Sequence, residues 1–181
     1  MKKIILFCSL SAIALISTSQ INKGNWLFGT SGNYTMRLDG NKSTSIFLNP
    51  TVGLFVMDKF AVGTGASVYL YTSDGLKSNG FGFGPFARYY FMSTDNDINF
   101  FVHPSFELTQ SKNDYASEDN DDTSYKTQQW AIAAGPAFFF NEYIAMELTA
   151  NYVFAKQEQA DPSNYLRLQL GLQIHLGGKR G

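Results

Sequence analysis

Three residue types that serve nucleophilic catalysis alternate in one stretch of the chain, as His103, Ser105 and Glu107. Serine, histidine and a carboxylate can act as nucleophile, base and orienting group when they lie within hydrogen-bond reach of one another. Alternate side chains on a single strand stand roughly 6–7 Å apart, which is too far for direct hydrogen bonds between them. We therefore expect these residues to fill a polar interior, and catalysis is the alternative.

A second cluster is acidic and lies between residues 111 and 127. Its members are Glu118, Asp119, Asp121 and Asp122, and clustered carboxylates of this kind could bind Ca²⁺. An EF-hand calcium loop needs glycine at its sixth position and glutamate at its twelfth. Counted from Asp119, these positions hold Ser124 and Trp130. We therefore expect a solvated acidic loop, and no metal or cofactor site.

Five charged residues lie within the alternating segments of the chain: Arg37, Arg88, Arg167, Glu107 and Glu147. Each falls on a face that carries small and amide side chains. Charges that are buried without partners are costly, so we predict that these five face the inside of the fold and form ion pairs there. Their distances from the short turns pair Arg88 with Glu147, and Arg167 with Glu107.

The elements that position these residues are strands, because period-two alternation of apolar and polar residues recurs along the chain. The predicted strands are longer than the roughly 5–6 residues usual in soluble proteins and suit the roughly 9–11 that cross a bilayer. They span residues 25–38, 45–56, 60–71, 80–92, 98–110, 128–140, 143–155 and 164–176. Three connections, at 57–59, 93–97 and 141–142, are short, and four are longer, at 39–44, 72–79, 111–127 and 156–163. This rhythm predicts an all-β, eight-stranded antiparallel up-and-down transmembrane barrel.

The two faces of the strands indicate which side points outward. One face of the last strand is apolar throughout, from Leu166 to Leu176, and the opposite face carries Arg167, Gln169, Gln173 and His175. A soluble barrel of the lipocalin type would place the apolar face inside and expose the polar one. An exposed polar face would normally carry lysine, yet the polar faces of these strands contain none. The pattern therefore favours a barrel with a cramped polar interior and a lipid-facing apolar wall.

Four prolines fall near the middle of predicted strands, on the lipid-facing set: Pro50, Pro85, Pro104 and Pro136. Proline cannot donate a hydrogen bond to a neighbouring strand, and a closed barrel has no free edge to accommodate it. We therefore expect local bulges at these positions.

The first 19 residues have the pattern of a secretory signal peptide, with Lys2 and Lys3 ahead of an apolar run that ends in small residues. Residues 20–181 would then form the barrel. Without those two lysines, 12 of the 14 basic residues remain against 15 acidic ones, a net charge of −3. That charge is too mild to indicate a nucleic-acid partner. The single cysteine, Cys8, would be lost with the peptide, which excludes thiol chemistry.

The chain resembles the small outer-membrane β-barrel proteins of the OmpX, OmpA-barrel and "porin family" type, in versions found in Bacteroidota. The resemblance rests on the segments NPTVGLFVMDKFAVGTGASVYLY, GPFARYYF and YLRLQLGLQIHL, which cover residues 49–71, 84–91 and 165–176. It implies residence in the bacterial outer membrane, with outer-membrane lipid, lipopolysaccharide and the barrel-insertion machinery as partners, and an unknown external ligand. We expect a non-enzymatic structural or surface-interaction role. A narrow passive channel is the alternative, and a lipid A-modifying enzyme is the third possibility.

Overall fold

The structure is a computed structural model that describes residues 21–37, 42–92, 96–115, 123–158 and 160–177. The predicted signal peptide and the acidic residues Glu118, Asp119, Asp121 and Asp122 lie outside the described residues. The strands are β1 (Trp26–Arg37), β2 (Ser43–Met57), β3 (Phe60–Ser73), β4 (Leu76–Tyr90), β5 (Ile98–Tyr115), β6 (Thr123–Phe139), β7 (Ile144–Gln157) and β8 (Ser163–Leu176). Each pairs antiparallel with its neighbours in sequence, and β1 pairs with β8, so that the sheet closes. The predicted eight-stranded up-and-down barrel is confirmed.

We call the end of the barrel that carries the β1–β2, β3–β4, β5–β6 and β7–β8 connections the loop end. The strands extend further toward it than the alternation of apolar and polar residues predicts. The predicted loop at 72–79 is wrong, because β3 and β4 continue to a two-residue turn at Asp74–Gly75. Gly75 has a φ of +81°, a conformation that glycine adopts without a steric cost. Much of the predicted loop at 111–127 is also strand, since β5 runs to Tyr115 and β6 begins at Thr123. Polar residues occupy both faces of these strand ends, so the alternation stops there although the backbone pairing continues.

The sheet closes with a stagger of ten residues along β8. A line of paired residues can be followed once around the barrel through Tyr165, Val153, Ala131, Ser105, Phe86, Gly63, Gly53, Leu27 and His175. It leaves β8 at Tyr165 and returns to it at His175. An eight-stranded barrel has an interior just wide enough for side chains to fill it, and every residue on this line has the inward register of its strand.

The outer wall is apolar, as the sequence predicts. Leu166, Leu168 and Leu170 are 68%, 64% and 63% exposed, whereas Gln169 and Gln173 on the opposite face of β8 are buried. An apolar outer face on a closed sheet is the arrangement that lipid favours. Within the residues that the structure describes, no helix is long and apolar enough to span a membrane.

The expected bulges at the prolines are absent. Pro50 pairs with Thr30 on β1, Pro85 with Thr64 on β3, Pro104 with Ile132 on β6, and Pro136 with Phe100 on β5, all without a change of register. The ladder on the other side of each proline is interrupted instead. A proline lacks only its own N–H, so one neighbour can be lost while the other stays paired. Among the described pairs, the register shifts only between Phe55 and Met57, beside the β2–β3 turn.

The interruptions follow a rule. Pairing is continuous within the hairpins β1–β2, β3–β4, β5–β6 and β7–β8, whose connections all lie at the loop end. It is broken between hairpins, at β2–β3, β4–β5 and β6–β7, and β1 pairs with β8 only over residues 26–32. At the β2–β3 break, Asn49 Nδ2 donates to the Ala66 carbonyl at 2.9 Å. The barrel thus consists of four intact hairpins joined along weaker seams.

Candidate functional site: the filled interior of the barrel

An ion pair crosses the lower half of the interior, the half near the short turns. Arg88 on β4 and Glu147 on β7 are 5% and 1% exposed, and Arg88 Nη1 lies 2.6 Å from Glu147 Oε1. The second carboxylate oxygen accepts a hydrogen bond from Gln173 Nε2 at 3.1 Å. Alternation places all three side chains inside, and the barrel is narrow enough for β4 and β7 to meet across it. The ion pair predicted for Arg88 and Glu147 is therefore present in the structure.

Two further N–H groups of Arg88 are also engaged. Its Nε donates to His103 Nδ1 at 3.0 Å, and Nη1 donates to the Tyr90 hydroxyl at 3.1 Å. The guanidinium lies 4.3 Å from the centre of the Phe101 ring. Three N–H groups and one face of the guanidinium thus have defined partners, which hold the buried charge in one orientation.

Aromatic rings close the barrel below this ion pair. The Tyr90 ring lies 6.1 Å from Phe55, 5.7 Å from Phe101 and 6.2 Å from His175, measured between ring centres. The segment before β1 covers their lower side, since the Ile21 carbonyl accepts a hydrogen bond from the Lys59 amide at 2.7 Å and the Ile21 side chain is buried. We call the group Leu27, Phe55, Tyr90, Phe101 and His175, together with Ile21, the aromatic plug.

The other predicted ion pair is wrong. Arg167 stacks on Phe47, with its guanidinium 4.0 Å from the ring centre, and donates to the Tyr165 hydroxyl at 2.7 Å. Glu107 instead accepts hydrogen bonds from Ser67 and Thr109, at 2.7 and 2.9 Å. The distance of a residue from the turns predicts which side chains lie at the same depth in the barrel. It does not predict which of those side chains a charged group will bind. Aromatic and hydroxyl neighbours satisfy both groups in this half of the barrel.

A small polar cavity separates the two levels. Its volume is about 70 Å³, and Arg88, Glu107, Glu147 and Arg167 are among the residues that line it. That volume corresponds to about two water molecules. The cavity lies between the buried ion pair and the stacked arginine.

The possible catalytic residues are not assembled into a catalytic arrangement. His103 faces Arg88 through Nδ1 and stacks on Phe86 with ring centres 4.6 Å apart, while Glu107 binds hydroxyls of β3 and β5. No hydrogen bond joins Ser105 to His103 or to Glu107, all three of which the structure describes. In the described ranges, no group of three or more His, Cys, Asp or Glu side chains is placed to hold a metal ion.

Arg37 is not part of the interior cluster. It has the inward register of β1, but it is the last residue of that strand, and its side chain is exposed at the rim of the barrel. Alternation gives the face of a strand correctly and does not show where the barrel ends.

Several interior residues are given no role by the sequence analysis. Tyr90 and Gln173 complete the surroundings of the ion pair, and His175 lies beside Tyr90. The signal was available, since Tyr90 stands two residues after Arg88 on the same face, and Gln173 and His175 alternate on β8. Polar residues next to a predicted interior charge on the same face are therefore candidate partners.

Solved structures of similar fold are bacterial outer-membrane barrels. The N-terminal β-barrel domain of OprF from Pseudomonas aeruginosa matches with a TM-score of 0.61 at 13% identity, over 85% of this chain and 98% of that chain. Neisserial surface protein A matches with a TM-score of 0.61 at 11% identity, over 84% and 97%. The outer membrane protein OprG from Pseudomonas aeruginosa matches with a TM-score of 0.52 at 12% identity, over 90% and 100%.

No protein-family model and no curated protein sequence matches the chain. At the identities of the structural matches, the similarity shows the fold alone. Together with the closed sheet and the apolar outer wall, it establishes that the chain has the fold of small eight-stranded outer-membrane barrels, as the resemblance to the OmpX and OmpA-barrel type implies.

Proposed function

We propose that the protein is a non-conducting barrel of the bacterial outer membrane that acts through contacts at its loop end. The observation that carries the proposal is the Arg88–Glu147 ion pair, which spans the interior directly above the aromatic plug. A passive pore needs a continuous aqueous path, and these side chains occupy the cross-section of the barrel. Export by the signal peptide and insertion by the barrel-assembly machinery are part of the same proposal.

The outer wall and the connections support the membrane placement. Exposed leucines and aromatic residues cover the outside of the strands. The connections at the loop end span 5, 2, 7 and 5 residues and those at the opposite end 2, 7 and 4, so the loop end carries the longer connections on average, and both ends of the described chain lie at the opposite end. Outer-membrane barrels place short turns in the periplasm and longer loops outside, so the loop end would face the exterior.

The loop end offers a surface that suits recognition. Four tyrosines, Tyr69, Tyr71, Tyr125 and Tyr165, alternate on the inward faces of β3, β6 and β8 near the mouth, where each is half-buried. Tyrosine combines a large rigid contact area with a polar tip, which explains its frequency at binding surfaces. This mouth favours a surface-interaction role, with an external ligand, over a purely structural one.

Conductance of the refolded protein in planar bilayers tests the closed barrel. We expect no discrete conductance steps from the unmodified protein, because the plug and the ion pair block the lumen. Discrete steps from the unmodified protein would instead establish the narrow channel. Heat-modifiable gel mobility on the same sample shows that the barrel is folded.

A matched pair of variants sharpens the result. Tyr90→Ala combined with Phe101→Ala removes two rings of the plug and should introduce or raise conductance. Phe47→Ala removes a ring of similar size from the upper half of the barrel, outside the plug, and should produce no conductance steps.

A further inference from the structure

Two grooves follow one another along the outer wall of strands β4 to β7. The upper groove, of about 430 Å³, is lined by Phe83, Leu108, Gln128 and Lys156, among others. The lower groove, of about 600 Å³, is lined at the next outward positions of the same strands by Pro85, Phe106, Trp130 and Phe154. Successive outward positions are roughly 6–7 Å apart, so the two grooves form one furrow that runs down the wall. We call it the lipid furrow.

The upper end of the lipid furrow is cationic. Lys126 on β6 and Lys156 on β7 line it, and both are exposed. Glu158 also lines this end, but no ion pair forms between it and either lysine, all three being described residues. The backbone amide of Glu158 donates to the Lys126 carbonyl at 3.0 Å, so this end combines two lysines with one carboxylate and has a net charge of +1. Neither ammonium group is held in an ion pair with a described residue, and both remain accessible to an external anion.

The lower end of the lipid furrow is apolar and deepened by the interrupted β4–β5 seam. Pro85 and Pro104 stand on the two sides of this seam, where the strands are not paired. Trp130 and Ile132 form the neighbouring wall and are 58% and 57% exposed. This end can accept an acyl chain along its length, because polar groups contribute little to its lining.

The opposite wall provides a contrast. A groove of about 470 Å³ lies over β1, β2, β7 and β8 and is lined by residues such as Tyr34, Leu48 and Leu170, with no lysine among its lining residues. Both walls thus carry an apolar groove, but the lipid furrow combines one with two adjacent cations. A general affinity for lipid would not distinguish the two walls, whereas a phosphate-bearing headgroup would.

We propose that the lipid furrow binds a phosphate-bearing lipid of the outer leaflet, with phosphate on Lys126 and Lys156 and an acyl chain lying toward Pro85 and Pro104. The inference rests on the proposed orientation, which places the loop end in the outer leaflet. A phosphate matches the charge of the two lysines, and the distance down the strands separates headgroup from chain as a lipid does.

Trp130 supplies the probe, because the chain has only one other tryptophan, Trp26, which does not line the furrow. In a Trp26→Phe background, the refolded protein in neutral detergent would be titrated with bisphosphorylated lipid A and, separately, with phosphatidylcholine. Trp130 fluorescence reports occupancy, and native mass spectrometry counts the retained lipids. We expect lipid A to be retained and to shift Trp130 emission at concentrations where phosphatidylcholine does neither.

Charge removal tests the headgroup contact. Lys126→Gln with Lys156→Gln should weaken lipid A binding about 25-fold, since a lysine near an anionic lipid contributes about fivefold in affinity. Lys42→Gln with Lys77→Gln removes the same charge at the same end, outside both grooves, and should change binding less than twofold. Equal losses in the two double variants, or equal retention of phosphatidylcholine and lipid A, would overturn the proposal.

Filling the lower groove tests the chain contact. Ala87 lines this groove, and Ala87→Phe should reduce lipid A retention at least fivefold, while Ala150→Phe on the outer face of β7 should not. Unchanged retention in Ala87→Phe would overturn the assignment of the acyl chain. Bilayer conductance of the same preparations separates the two proposals, because a conducting barrel that still selects lipid A refutes only the closed lumen.

Discussion

Two arginines occupy the same barrel interior in different ways. Arg88, in the lower half, is almost fully buried and bound to the Glu147 carboxylate, a hydroxyl and an imidazole. Arg167, in the upper half, is only partly buried and rests between the Phe47 ring and the Tyr165 hydroxyl, without a carboxylate.

The difference shows what degree of burial a guanidinium tolerates without a counterion. Near the mouth, solvent still reaches Arg167, and an aromatic face with one hydroxyl is sufficient. Next to the aromatic plug, where Arg88 is almost fully buried, the free energy needed to remove the charge from water is much larger. Only a hydrogen-bonded carboxylate offsets this cost. The stability of the barrel therefore depends more on the contacts of the lower half than on those of the upper half.

The largest effect is expected from removing the carboxylate of the lower half. Glu147→Leu leaves Arg88 charged and unpaired in a closed space, which should lower the free energy of unfolding by about 3–5 kcal/mol. Reversible urea unfolding in phospholipid vesicles, followed by tryptophan fluorescence, measures this change. A loss below about 1 kcal/mol, the range of an exposed ion pair, would show that solvent reaches Arg88 after all.

The control for that variant removes both charges together. Arg88→Met with Glu147→Leu replaces the ion pair by apolar side chains of similar length, so no buried charge remains. We expect the double variant to recover most of the stability lost by Glu147→Leu. If it is as unstable as the single variant, the cost comes from packing and not from the unpaired charge.

A smaller effect is expected from the hydroxyl that supports the ion pair. Tyr90→Phe keeps the ring in the aromatic plug but removes the acceptor for Arg88, whose Nη1 lies 3.1 Å from it. The same urea titration should show a loss of about 1.5–3 kcal/mol, typical of a hydrogen bond to a charged group. Full wild-type stability would mean that Glu147 alone satisfies this nitrogen.

The smallest effect is expected in the upper half. Arg167→Met removes a cation–π contact with Phe47 and a hydrogen bond to Tyr165, both partly open to water, and should cost about 1 kcal/mol. A double-mutant cycle with Phe47→Leu isolates the coupling between the two side chains. A coupling as large as the effect of Glu147→Leu would remove the distinction between the two halves.

The sequence predicts the strands and their faces because lipid and a narrow lumen impose opposite demands on alternate residues. Leu166, Leu168 and Leu170 alternate with Arg167 and Gln169 for this reason. The rule weakens beyond the bilayer, where both faces are solvated, and so the hairpin at Asp74–Gly75 and the ends of β5 and β6 were predicted as loops.

The interior was predictable only in part. Facing and height bring Arg88 and Glu147 together, because little else at their level can neutralise a charge. The same reasoning fails for Arg167 and Glu107, because aromatic and hydroxyl groups at their level, from Phe47, Tyr165, Ser67 and Thr109, satisfy them instead. The sequence predicts bulges at the prolines if both neighbouring strands must pair there, whereas each proline keeps one paired neighbour and loses the other.

Because backbone pairing is continuous only within the four hairpins, the barrel can be divided into four units of two strands each. Each proline keeps its partner inside a hairpin and loses the one across a seam, so the boundary between hairpins is also where the fewest backbone bonds would have to re-form. Gene duplication or deletion of one such hairpin, for example β3–β4, would change the strand number by two and leave both chain ends on the same side of the membrane. The construction of this barrel thus suits growth to ten or twelve strands by copying a unit that already pairs within itself.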